Sequence, residues 1–327
     1  MKAEHGHDGG TDHAQRGVDT LRTREPGEGS VLILALWTLF FLGALVVAVG
    51  AHVSAALRVA EQLKNVTELR YLARAGVERA AMEIAADTNA WDGTGQAAWN
   101  NGADRFVIDD LGGGEVSVTY ARVPMEGQAV TNTGVIGEEG KINVNEADQD
   151  ILEAAFTVLG GAEESRAARI CEALQAYRKQ RGELLTSESS KGYPPEPRAG
   201  QGRLQSVQEL LLVTGAELDT ELFSRVEPYL TVFGSGRINV NAADVRVLRC
   251  CAEAYPAFRE RIEEIIRARE AGQHFETREA FGAFAFMTVR STCFGGVATA
   301  RLHGGQGRFK IAFVVDREAR KIFWQEQ

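Results

Sequence analysis

Six histidines and four cysteines are the residues of this 327-residue chain best suited to metal binding or nucleophilic attack, and their placement favours neither. His5, His7 and His13 crowd into the first stretch of the chain, where they could hold a metal but read more simply as a solvated tail. His52 follows an apolar run, which leaves His274 and His303, too few for most zinc sites or catalytic triads. Cys171 could pair with Cys250 or Cys251 in an oxidising compartment; the alternative is that these three and Cys293 are buried free thiols. Gly134 and Gly140-Lys141 are separated by a five-residue gap and followed by Ile142, which fails the phosphate-loop pattern. Neither Gly-x-Ser-x-Gly nor His-Glu-x-x-His occurs. These residues argue against an enzyme.

Oxygen-bearing side chains give a clearer pattern. GKINVNEADQDIL at 140–152 and GRINVNAADVRVL at 236–248 form an internal repeat with an offset of 96 residues. Ile142–Val144 and Ile238–Val240 read as short extended pieces. Asn145 and Asn241 then read as helix caps, with Asp148 and Asp244 near the positive helix ends. Calcium ligation by Asn143, Asn145, Asp148 and Asp150 is the alternative; capping explains the same residues with less.

Something must position these repeats. The chain is 44% hydrophobic and 25% charged, enough apolar residue for a proper core, and its net charge of −9 disfavours a protein that tracks phosphate backbones. From Val31 to Gly50 no residue is charged, and 13 of the 20 are Val, Leu, Ile or Phe. Twenty helical residues span about 30 Å, the thickness of a hydrocarbon core. A cleaved secretory signal is the competing reading, with Ser54-Ala55-Ala56 as a cleavage site. However, the run exceeds the usual apolar region of about 7–15 residues, and the preceding tail carries six acidic residues against four basic ones. Basic residues near the segment number three before it and two after (Arg58, Lys64), a thin margin that places the following chain outside the cytoplasm.

No proline interrupts residues 51–87. Val53, Leu57, Ala60, Leu63, Val66, Leu69, Ala73, Val77, Ala80 and Ile84 recur at steps of three and four, an amphipathic stripe that continues the same helix. Beyond it, residues 105–122 alternate as strand, with Val116, Val118 and Tyr120 on one face after a Gly112-Gly113-Gly114 turn. Three more strands are expected at about 290–301, 307–315 and 321–325, with a turn over Asp316–Arg320. The stretches 146–235 and 242–286 carry helical patterns such as Arg166–Arg181 and Phe258–Ala271, and 186–205, rich in proline, serine and glycine, reads as a mobile loop.

A hydrophilic leader ending in Gly29, an uninterrupted apolar run and an amphipathic extension together resemble the class III leader of type IV pilins and type II secretion pseudopilins. The Gly-x-Ile-Asn-x-Asn-x-Ala-Asp repeats resemble those that flank the helical insertion of the minor pseudopilin family GspK. The resemblance implies an α+β, pilin-like fold: a long N-terminal helix, a small antiparallel sheet and a large helical insertion of SAM or helix-hairpin-helix type. It implies a leader over 1–29 and a transmembrane helix over 30–52 that continues through 53–87. Sheet parts over 88–145 and 290–327 would flank an insertion over 146–289.

The same resemblance implies that a prepilin peptidase cuts between Gly29 and Ser30 and methylates the new terminus. Gly29 would let the backbone leave the helix just ahead of the membrane. Most pilins carry glutamate at the fifth mature position, here Leu34, where it pairs with the amine of the subunit above. A subunit with nothing above it has no such amine, so leucine suits a filament tip. Implied partners are the minor pseudopilins GspI and GspJ and the pseudopilus filament. The implied location is the inner membrane, crossed once, with the C-terminal domain in the periplasm, and no nucleic-acid or small-molecule ligand is implied.

The repeats, with Arg259, Arg261, Arg267, Arg269 and Gly272 beyond the second, are also similar to the helix-hairpin-helix motif of competence DNA receptors. That module needs a glycine hairpin, and none lies between Leu248 and Ile262. Residues 146–234 also hold 15 acidic against 9 basic residues, which would repel DNA.

Overall fold

The computed structural model describes residues 28–92, 102–122, 130–189, 202–282, 284–305 and 307–327. The expected leader, up to position 27, and most of the expected proline-rich loop lie outside them. The chain divides into two compact units, Met1–Gln62 and Leu63–Gln327. Helix α1 (Glu28–Ala86) is a single run of 59 residues, as the absence of proline allows. It begins before Gly29, so this glycine lies inside the first turn and does not interrupt the helix as expected.

In the second unit, α1 packs on an antiparallel sheet. After the short α2 (Ala103–Phe106) come β1 (Val107–Leu111), β2 (Gly114–Arg122), β3 (Val130–Thr133) and β4 (Ile136–Gly137). The sheet is completed much later by β9 (Cys293–Leu302), β10 (Arg308–Asp316) and β11 (Lys321–Glu326). Its order is β1-β2-β9-β10-β11, with β3 on β2 and β4 on β9. Alternation decides which face is dry: Val116, Val118, Ala298, Ala300, Ile311, Phe313 and Val315 are buried against Leu69, Ala73, Val77, Ala80 and Ile84 of α1. Gly76 permits this close approach, since a Cβ there would meet Val116 Cγ2 at 2.7 Å.

Between β4 and β9 the chain builds a second core. Strand β5 (Ile142–Asn143) leads into α3 (Gln149–Ala154), α4 (Glu164–Ser189), α5 (Glu209–Val213) and α6 (Thr220–Val226), and β6 (Leu230–Thr231) returns to pair with β5 in parallel. Strand β7 (Ile238–Asn239) then leads into α7 (Val245–Ala254) and α8 (Arg259–Glu270), and β8 (Met287–Thr288) pairs with β7 in parallel. Each copy of the sequence repeat therefore opens a module that a short parallel strand closes. At the two ends of the expected mobile loop, α4 runs on through Ser189 and Leu204 is buried in the core.

Candidate functional site

Two features of this chain can carry function: an apolar helix surface and the junction built by the repeats. In the first unit, every residue of α1 from Ser30 to Gln62 is exposed. Leu34 and Leu57 show 66% and 65% of their surface. Mean hydropathy reaches 2.7 along this helix, which is long and apolar enough to cross a membrane. A helix that is apolar all round belongs in lipid or in a core, and no core covers this one. Its hydroxyls are satisfied locally, Thr38 Oγ1 donating to the Ala35 carbonyl and Ser54 Oγ to that of Gly50, both at 2.8 Å, as a lipid environment demands.

In the second unit the expected stripe divides. From Leu69 onward its residues are buried under the chain's own sheet, whereas Leu63 and Val66 stay 65% and 49% exposed, as Val53 does in the first unit. The unburied half is apolar surface that no described residue covers.

At the junction, the repeat residues do something other than what their sequence suggests. Asp148 and Asp244, not Asn145 and Asn241, occupy the N-cap positions of α3 and α7. Asp244 Oδ1 accepts the Arg246 N–H at 2.9 Å, while Asp148 makes no side-chain cap bond and instead accepts from the Tyr255 hydroxyl at 2.5 Å. The asparagines act as clamps on distant backbone. Asn145 Nδ2 donates to the Leu204 carbonyl at 2.9 Å, and its Oδ1 accepts the Leu204 N–H at 2.8 Å. Asn241 holds the carbonyl and N–H of Phe275 in the same way, at 2.7 and 2.9 Å. A primary amide offers a donor and an acceptor side by side, so it pairs with a peptide unit as a neighbouring strand would.

The first asparagine of each copy closes an Asx turn: Asn143 Oδ1 accepts the Asn145 N–H, and Asn239 Oδ1 that of Asn241, at 2.9 and 3.0 Å. For the calcium alternative, the amide oxygens of Asn143 and Asn145 are thus already engaged. No group of three or more His, Cys, Asp or Glu side chains among the described residues is arranged to hold a metal.

A buried polar network unnoticed in the sequence ties the repeats to the sheet. Arg317 donates to Asp87 Oδ2 at 2.9 Å and to Asp92 Oδ1 at 2.5 Å. Asp92 Oδ2 also accepts from Asn239 Nδ2 at 2.8 Å and from the Ser291 N–H. Burial raises the Asp92 carboxyl above its ordinary range, although Ser291 and Arg317 pull the other way. Nearby, Glu139 accepts the N–H groups of Ser235, Thr292 and Cys293, and Glu138 accepts from Thr231 Oγ1 at 2.6 Å. The one signal available in sequence is that two adjacent acids, Glu138-Glu139, stand just ahead of the first repeat.

A structural neighbour accounts for this arrangement as a whole. A chain of the crystal structure of the GspK–GspI–GspJ complex from the type 2 secretion system of enterotoxigenic Escherichia coli superposes with a TM-score of 0.51 at 15% identity, covering 83% of this chain and 99% of that one. The chain has a pilin-like fold. No protein-family model and no curated protein matches the sequence.

Within this pilin-like fold, residues that suggested other chemistry have structural duties. All four cysteines are free and buried. Burial, reinforced by Glu153, pushes the Cys171 thiol up to about 12; burial pushes Cys250 to about 12 and Cys293 to about 11, and it raises Cys251 as well. None is a ready nucleophile. Of the arginines that suggested DNA contact, Arg259 pairs with Glu253 and Arg261 with Glu264, while Arg269 is turned inward to the Val240 carbonyl.

Proposed function

We propose that this chain is a minor pseudopilin of a type II secretion system that stands at the tip of the pseudopilus and supports assembly and protein export across the outer membrane. The observation that carries the reading is the combination of a pilin-like fold with an uncovered apolar helix. The fold spans 99% of a chain from a minor-pseudopilin complex, and α1 is exposed from Ser30 to Lys64 and free of charged residues from Val31 to Gly50. Such a helix stores the protein in the inner membrane before assembly. Afterwards it gives neighbouring subunits a long apolar seam.

On this reading a prepilin peptidase removes residues 1–29 and methylates Ser30, and the domain beyond the membrane lies in the periplasm. The other minor pseudopilins, GspI and GspJ, pack along α1 below, and the helical modules of 146–289 cover the top. Leu34 fits that place, because a carboxylate at this depth costs about 2.5–3.5 kcal/mol unless the amine of a subunit above neutralises it. The protein is an assembly subunit and not an enzyme.

The experiment is N-terminal sequencing of the protein recovered from membranes of secreting cells, alongside a Gly29→Ala variant. Wild type should begin at Ser30 and the variant should keep its leader. A mature protein that still begins at Met1 overturns the reading.

A further inference from the structure

The sheet and the second helical module meet around a 380 Å³ cavity whose walls carry an unusual concentration of positive charge. One wall is the end of the β2–β3 hairpin, with Arg122, Val130 and Asn132; the other is the start of α7, with Ala243, Asp244 and Val245, together with Arg269 from α8. Two guanidinium groups from different layers of the fold thus share one cavity. Asp244 is the one carboxylate in the lining, and it is already taken: its Oδ1 accepts from the N–H and Nε of Arg246, and its Oδ2 from Nη2. Arg246 is itself held in place, stacked 4.7 Å above the Tyr229 ring. Arg122 has no carboxylate partner among the described residues, and Arg269 donates to the Val240 carbonyl.

We propose that this cavity is a binding site for a small oxyanion, held between Arg122 and Arg269 at the first turn of α7. The chemistry follows from the donors. A guanidinium matches the paired oxygens of a carboxylate or phosphate group. The positive end of the ten-residue helix α7 adds a field of the same sign. A cavity of this size lies in the range of small-ligand sites. Two like charges share the cavity, and the environment registers it: burial, and then the proximity of Arg122, lower the Arg269 guanidinium to about 10, with Asp244 pulling the other way. The site lies in the second unit, and its existence does not depend on the secretion role.

The test is isothermal titration of the purified full chain in non-ionic detergent, with inorganic phosphate in one arm, acetate in a second and chloride of matched ionic strength as the blank. A single saturable site for phosphate or acetate is expected, and the arm that binds more tightly tells a tetrahedral from a planar oxyanion. Arg122→Gln is the informative variant because Arg122 is exposed and its loss leaves the core intact; it should weaken binding roughly tenfold or more, the worth of a charge-assisted contact. Arg122→Lys should retain part of that affinity. Absence of saturable binding in both arms, or equal affinity in wild type and Arg122→Gln, overturns the proposal.

Discussion

Gly236, at φ +77°, lies so close to Glu146 that a Cβ on the glycine would run into the Cβ of the glutamate. The two residues sit in different copies of the repeat, and the contact is reciprocated. Gly140, which corresponds to Gly236, approaches Ala242, which corresponds to Glu146, with a Cβ position only 3.0 Å from the Ala242 carbonyl oxygen. The two copies therefore hold each other symmetrically, each presenting its leading glycine to the residue six positions on in the other.

Gly236→Ala should accordingly destabilise the protein by about 2 kcal/mol or more, since it adds both a clash and left-handed backbone strain. Gly140→Ala, without a positive φ, should cost less. Chemical denaturation of the two variants beside wild type checks the order, and equal effects would show that the clash alone decides.

Removing an asparagine clamp leaves a buried peptide unit with neither donor nor acceptor satisfied. Asn145→Ala and Asn241→Ala should each cost about 2–4 kcal/mol, with Asn145→Ala releasing the segment at Leu204 and Asn241→Ala that at Phe275. Hydrogen exchange at the Leu204 and Phe275 amides would report this site by site. A purely capping role would leave those two amides protected and expose the first turns of α3 and α7.

The four thiols should resist modification while the fold is intact. With Cys171 and Cys250 raised to about 12 and Cys293 to about 11, Ellman's reagent at pH 8 should titrate none of the four in native protein and all four after unfolding. Recovery of only two thiols on unfolding would reveal a disulfide.

Asp316 governs the turn between β10 and β11. Burial opposes its ionised form, but Arg320 Nε and the N–H groups of Glu318 and Arg320 outweigh that and hold the carboxyl below its ordinary 3.8. A depressed carboxyl pKa stabilises the fold above the ordinary value and loses that contribution as pH falls through the lowered one. Wild type should melt above Asp316→Asn at neutral pH, and the gap should close in the acid range below 3.8. A gap that stays constant with pH would contradict this.

Much of the architecture was legible in the sequence because its signals are local. An unbroken apolar run with a three-four stripe specifies α1. Alternation over Val116, Val118 and Tyr120, and over Phe309, Ile311 and Phe313, specifies strands whose dry face the structure bears out at Val116, Val118, Ile311 and Phe313. The repeat was visible as a repeat. Asp148 and Asp244 stand at the helix starts, but Asn145 and Asn241 do not cap, because an asparagine before a helix has the same local appearance whether it caps that helix or reaches elsewhere, and only the position of the Leu204 and Phe275 segments separates the two.

What the chain alone determined is therefore each element and its apolar face, since periodicities of two and of three to four residues act within a few bonds. Tertiary structure decided where the half-covered stripe stops being buried, which asparagines clamp which loops, and that Arg317 would meet Asp92 across 225 residues of sequence. Those contacts exist only once the helical modules have closed and brought β9 back beside β2, with β10 on its far side. Pairings at such separations depend on the whole path of the backbone, and no local pattern of residues encodes that path.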